Sequence, residues 1–420
     1  MLIKEVLIPK THGWKLFEAE GKNTHLEHIE DLVFNNGYNG AVQAFQYLDA
    51  VKGLVEGGAT QGKITVKWDG APAIICGIDP EDGKFFVGTK SVFNVNEKKR
   101  AKSTADVKSM YSGKDGLIEK LTLALQLLPK LGIGTVVQGD FLFGPGDIEK
   151  DTVGDDECHT FTPNTITYAV PINSAIGKRM EKAKIGIVFH TEYTGETLDE
   201  MTANFGYSVN GLQATSDVWF DDANYKDVSG VATLTGEEEA KIDNELDRGR
   251  TTLKKVGNKM NKVLDFGEFS KFIKPFINNN VKAGEQVGEP LAFLKKFEEF
   301  YTTKMNAEIS KLKNQDPEKP AVKNRIEKIE QQKQFLADNA NTLLLTLAVY
   351  RRIITAKLLL ISKLSKIDNI GTFEKTADGY RVTNHEGFVA FGIDGGAVKL
   401  NDRMEFNRMN FGATKKWATN

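Results

Sequence analysis

Apolar positions recur at two different periods along this chain, and the dominant period switches three times. Leu26, Ile29, Leu32 and Val33 fall at helical spacing, and residues 41–55 repeat that signal before Glu56-Gly57-Gly58. Residues 1–60 are therefore expected to form a helical N-terminal extension. Between 61 and 235 the pattern changes to short β-rich runs at 63–66, 73–78, 84–87, 135–143 and 185–189. These alternate with Gly, Asp and Pro turns, and one helix is expected around 117–128. Residues 236–370 return to the helical period. Gly236-Glu237-Glu238-Glu239 puts acid where a helix dipole favours it, and helices are expected at 291–313, 321–339 and 343–366. From 371 to 420 strands are expected again, at 380–383, 387–393 and 397–400. No internal repeat is present. The pattern predicts an α+β protein whose sheet-bearing core, 61–235 and 371–420, is interrupted by a helical insertion as long as a domain.

Composition narrows the picture modestly. The 420 residues allow two or three domains, and the 40% hydrophobic and 27% charged fractions are those of an ordinary globular protein. A net charge of -2 provides no bulk attraction to nucleic acid. Phosphate binding would have to come from local clusters such as Lys254, Lys255, Lys259, Lys262, Lys271 and Lys274. Cys76 and Cys158 form no CxxC pair, which argues against a disulfide framework or a zinc site. His25 and His28 stand three apart, not at the spacing of a helical zinc motif. The N-terminus lacks a signal-peptide pattern, and the most apolar run, 343–350, is too short to span a membrane and ends at Arg351-Arg352. A cytoplasmic protein with no membrane partner is expected.

The sharpest local feature is Lys67-Trp68-Asp69-Gly70-Ala71-Pro72, placed between two expected strands. A lysine becomes a nucleophile only when its amine is unprotonated, which desolvation or neighbouring cations promote. A glycine beside it lets backbone pass close to a ligand. Lys67-Trp68-Asp69-Gly70 resembles the first motif of the covalent nucleotidyltransferase superfamily, the ATP-dependent polynucleotide ligases and mRNA capping enzymes, whose lysine accepts the nucleotide. The remaining motifs follow in order. Phe86-Val87-Gly88-Thr89-Lys90-Ser91 is similar to the next strand, with Lys90 in the place of a phosphate-contacting cation. Gln138-Gly139-Asp140 followed by Gly144-Pro145-Gly146 is similar to the third motif, with Asp140 one methylene shorter than the glutamate of the RNA-ligase branch. The run 185–190 resembles the strand whose aromatic ring stacks on the purine, which implies Phe189, with Tyr168 as a competing assignment. Glu386-Gly387-Phe388-Val389 matches the metal-carboxylate motif. Ala397-Val398-Lys399-Leu400 matches the last, whose lysine contacts the α-phosphate. Asn401 stands where the family often has a second lysine, and Arg403 is the next cation along the chain.

The resemblance implies an ATP-grasp-like nucleotidyltransferase core of antiparallel sheets, closest to the RNA-ligase branch, with no C-terminal OB-fold. It implies Lys67, Glu386 and Lys399 as catalytic residues. Lys67, Asp69, Gly70, Lys90, Asp140, Phe189, Glu386 and Lys399 would contact the nucleotide, and Glu386 and Asp140 would hold Mg²⁺ or Mn²⁺. The implied activity is an ATP-dependent ligase that forms lysyl-AMP and passes AMP to a 5′-phosphate end, of RNA in preference to DNA. Two alternatives stand beside it. One is a non-ligase nucleotidyltransferase of capping-like or protein-modifying type, and the other is a non-catalytic nucleic-acid-binding scaffold that keeps the fold.

Overall fold

The computed structural model describes residues 26–56, 63–223, 234–285, 288–365, 371–376, 379–382, 387–391 and 397–405. The molecule is α+β, with three sheets and a helical body. The first sheet joins β1 (Lys63–Lys67), β13 (Gly387–Phe391) and β14 (Ala397–Leu400), all antiparallel. The second runs β10 (Val218–Asp222), β8 (Ile185–Thr194), β4 (Val136–Phe143), β2 (Ala73–Ile78) and β3 (Phe85–Gly88), with β9 (Thr202–Phe205) attached to β8. Its β10–β8 pair is parallel. In the third, the hairpin of β5 (Glu149–Val153) and β6 (Asp156–Phe161) continues through β7 (Thr167–Pro171) to β11 (Gly371–Thr376) and β12 (Gly379–Val382). The segment returning after the helical insertion thus completes two sheets begun before it.

On the second sheet, α2 (Thr104–Met110) and α3 (Asp115–Leu127) cover one face. There Ile74, Cys76, Val137, Phe141, Ile187 and Phe189 bury against Val107, Leu121 and Ala124. Ser103 caps α2 reciprocally with Asp106, and Ser174 caps the short α4 (Ala175–Met180) between β7 and β8.

The helical body contains α5 (Gly236–Val256), α6 (Lys259–Leu264), α7 (Gly267–Lys282), α8 (Pro290–Ser310), α9 (Pro320–Asp338) and α10 (Ala340–Leu364). Thr235 and Glu238 form a capping box that starts α5, and Pro290 and Pro320 open α8 and α9, where a missing N–H costs nothing. The apolar α10 is the central helix. α1 (Leu32–Val55) packs on it, with the Phe34 and Tyr350 rings 4.8 Å apart, so the N-terminal helix belongs to the same body as the insertion. Among the described residues no helix is long and apolar enough to cross a membrane.

A buried ionic cluster ties this body to the first sheet. Both Glu30 oxygens lie 2.9 Å from the Lys357 ammonium, and the Arg403 guanidinium lies 3.0 Å from Asp31 and 3.6 Å from Glu30. His28 Nδ1 is 2.7 Å from Asn401 Oδ1. Burial pushes the His28 imidazole down to about 3. Burial opposes ionisation of Glu30, yet Lys357, His28 and Arg403 together hold its carboxyl down at about 2. Burial raises Asp31 to about 6 against the pull of Arg403.

These shifts act with different signs. An unfolded imidazole protonates near 6.5 while the folded one stays neutral, so His28 costs stability as pH falls from 6.5 towards 3. Asp31 takes its proton first in the fold, so it adds stability as pH falls from about 6 to 3.8. Glu30 stabilises above 4.5, and that contribution is lost as pH falls from 4.5 towards 2. The contribution of these three groups to the melting temperature is expected to be nearly flat between pH 6 and about 4.5, to decline below that as Glu30 joins His28, and to fall most steeply below about 3.8, where Asp31 no longer compensates. In Asp31→Asn the decline should begin near pH 6.5 instead. Thermal melts across this range check both curves, and a wild-type curve falling evenly from pH 6.5 would contradict the assignment.

Candidate functional site

Lys67 is the last residue of β1 and pairs with Gly387, the first of β13. Residues directly opposite in an antiparallel pair share a face, and neighbours along a strand alternate. Ile64, Val66, Phe388, Ala390, Val398 and Leu400 bury towards the main core. Thr65 pairs with Val389 and Val389 with Lys399, so Lys67 and Lys399 share the other face of this sheet, in adjacent rows. Both are half-buried. Two cations separated in sequence by the whole helical insertion are thereby brought to one small surface. Gly387 is required between them: its φ is +145°, and a Cβ there would lie 2.5 Å from the Leu400 carbonyl oxygen and 2.6 Å from Asn401 Cβ. Glu386, the expected metal carboxylate, lies outside the described residues, immediately before Gly387.

The loop after Lys67 crosses from the first sheet to the second, and its anchor is Asp69. This buried carboxylate accepts from Asn164 Nδ2 at 2.8 Å, Thr165 N at 2.7 Å, Thr165 Oγ1 at 2.6 Å and Ile166 N at 2.8 Å. The Asp69 amide donates to the Tyr168 hydroxyl at 2.7 Å. Asp69 was expected to contact the nucleotide; its oxygens are instead turned into the protein, where they hold the loop. Tyr168 is wholly buried, between the rings of Trp68 and Phe161.

Gly70 brings the loop against β4. A Cβ at this position would lie 2.5 Å from Asp140 Cβ, and next to it Ala71 N donates to Phe141 O at 2.9 Å. Gly70→Ala is expected to push the loop off Asp140 by overpacking, at a cost of about 1–3 kcal/mol. Urea unfolding of Gly70→Ala should show that loss as a lower midpoint with an unchanged slope. A midpoint equal to wild type would show that the close approach of Gly70 to Asp140 is not needed.

Asp140 pairs with Ala73 on one side and Val188 on the other, and it is half-buried. Its carboxylate lies 3.7 Å from His190 Nε2, and His190 Nδ1 is 2.6 Å from Thr191 Oγ1. Lys90 follows β3, which pairs Gly88 with Ile75, so it lies at the same end of the second sheet as Ala73 and Asp140. Phe189 is not brought to this group. Val188 faces with Asp140, and Phe189 points the other way, wholly buried among Ile187, Phe141 and the α3 side chains. The register shift between Gln138 and Gly139 leaves His190 as an extra residue on β8, and its ring meets Asp140.

One contact had no signal in the sequence. Lys120, from α3, donates to the Ala71 carbonyl at 3.0 Å and lies 5.2 Å over the Phe141 ring. Burial lowers its pKa, with Asp147 and Glu119 opposing. It braces the Lys67 loop from the side away from Asp140. Arg403, the cation after Asn401, is instead drawn into the buried cluster with Asp31 and Glu30.

Mg²⁺ favours a few carboxylate oxygens and retains water. Asp140 fits that requirement as a partly exposed hard ligand. Among the described residues, no group of three or more His, Cys, Asp or Glu side chains converges as a metal site.

Residues 23–415 match the model of a family described as "Family of unknown function (DUF6267)", and the chain belongs to that family. No curated protein matches the chain, and no solved structure does.

Proposed function

We propose that this protein is an ATP-dependent nucleotidyltransferase with a ligase-like core, working through a covalent lysyl-AMP at Lys67 to seal 5′-phosphate ends of RNA. The observation that carries this reading is the pairing that sets Lys67, Gly387 and Lys399 in adjacent rows of one sheet. A second support is the loop from Lys67, which ends against Asp140.

The chemistry follows from those groups. The neutral Lys67 amine attacks the α-phosphorus of ATP; a P–N bond forms, the bond to the β-phosphate oxygen breaks, pyrophosphate leaves and the amine proton passes to solvent. Lys399 and Lys90 offset the charge that builds on the phosphate oxygens. A divalent ion held by Asp140 and Glu386 would supply further charge neutralisation. A 5′-phosphate oxygen then attacks the same phosphorus and releases the lysine, leaving a 5′–5′ anhydride. The 3′-hydroxyl of the second end attacks the 5′-phosphorus, forming the phosphodiester and releasing AMP.

Incubation with labelled ATP, GTP and NAD in separate reactions with Mg²⁺ tests the reading. Labelling by ATP alone, followed by joining of 5′-phosphorylated RNA, is the expected result. Labelling without joining of any RNA or DNA would move the assignment to a capping-like or protein-modifying enzyme. Absence of labelling by all three nucleotides would leave a binding scaffold.

A further inference from the structure

We infer that the buried cluster of Glu30, Lys357, Asp31 and Arg403 is a positioning device that fixes the Lys399 strand against the helical body. The catalytic part of this inference rests on the function proposed above, whereas its structural part stands independently.

Four segments distant in sequence meet at this cluster. Residues 27–28 lie along the outer edge of β14: Lys399 N donates to Glu27 O at 2.8 Å, and His28 bridges Lys399 in parallel. The next residues, Ile29–Asp31, form a single helical turn that carries Glu30 and Asp31 inward, where they are 0% and 4% exposed. Lys357, 1% exposed, reaches Glu30 from the middle of α10. Arg403 follows β14 and reaches Asp31, while its other terminal nitrogen donates to Asn278 of α7. The hydrogen bond from His28 to Asn401 closes the loop on the far side of Lys399.

A cluster of this kind is a costly means of obtaining stability. Desolvating an ion pair offsets much of its attraction, and well-packed apolar replacements are often neutral or stabilising. Charge pairs differ from apolar contacts in being directional. Ile353, Leu360 and Leu364 of α10 could pack in several registers, but only one register brings Lys357 onto both oxygens of Glu30. That register fixes residues 27–31, and through Glu27 and His28 it fixes the backbone of Lys399. The helical insertion is thus mechanically joined to the strand that carries the phosphate-side cation.

The test uses the full chain with Glu30→Met and Lys357→Met combined, which removes both charges at similar volume, and with Arg403→Lys as a second variant that keeps charge but loses the fork. Amide hydrogen exchange at Lys399 and global thermal stability are measured alongside the rate of self-labelling at saturating ATP. The expected result is a folded double variant with a melting temperature near wild type or above it. Its Lys399 amide should exchange at least tenfold faster, and its labelling rate should fall about tenfold with little change in the ATP concentration for half-saturation. Arg403→Lys should show the same changes to a smaller degree. Unchanged Lys399 exchange in the folded variants would overturn the inference. If wild type does not label, the proposed function fails, and the exchange measurement still decides whether the cluster positions β14.

Discussion

Lys67→Arg is expected to abolish self-labelling as completely as Lys67→Ala, by at least about a thousandfold, the scale on which removing a covalent nucleophile acts. Both variants should remain folded, because Lys67 is half-buried at a strand end and its backbone pairing with Gly387 is unaffected by its side chain. The arginine variant separates two roles. A guanidinium keeps the positive charge but has no accessible neutral form at working pH, and so offers no lone pair to phosphorus. If Lys67 served only as a phosphate-binding cation, arginine would retain much of the function. Labelling of each variant with radiolabelled ATP, with circular dichroism as the folding control, distinguishes these cases. Substantial labelling of Lys67→Arg would show that the covalent bond forms elsewhere or not at all.

Asp69→Ala should produce the largest stability change at the site. Removing the carboxylate strands four donors, from Asn164, Thr165 and Ile166, in a place where water has little access. A buried donor left without a partner costs about 1–3 kcal/mol, and water entering the cavity would recover part of it. The net loss is expected to be about 3 kcal/mol or more, with labelling lost as well because the Lys67 loop is released. Asp69→Asn keeps one acceptor oxygen but turns an amide towards N–H donors, and it should fall between wild type and alanine. Urea unfolding followed by tryptophan fluorescence reads the effect, since Trp68 adjoins the anchor. A loss of less than about 0.5 kcal/mol, the usual size for an ordinary surface change, would mean that the anchor contributes little.

The α+β class was legible because the change from period two to the helical period is strong along this chain, and α8, α9 and α10 lie close to the expected helices. The β5–β6 hairpin was not legible. The residues of β5, Glu149–Val153, are nearly all exposed and carry no apolar alternation. α7 holds Pro275 in its interior, which weakens any helical reading of that segment. At the site, order along the chain pointed to Lys67 and Lys399, since each motif is a short run on one strand. Phe189 reads as the ring of its strand, but it is buried on the face covered by α3, and a bulge invisible to alternation turns His190 towards Asp140. Asp69 reads as half of an Asp-Gly pair facing a ligand, because the donors that claim it are at 164–166, in the connection between β6 and β7 of a different sheet. The same holds for Glu30 and Lys357, whose pairing depends on how α10 packs and on no local pattern.

A phosphoramidate on Lys67 can be read directly by peptide mapping with mass spectrometry. Protein incubated with ATP and Mg²⁺, then digested under neutral conditions, is predicted to carry a single acid-labile adenylyl group on the peptide containing Lys67. An adenylyl group on another residue, or an unmodified Lys67 peptide under conditions where ATP binding is demonstrated, would contradict the account.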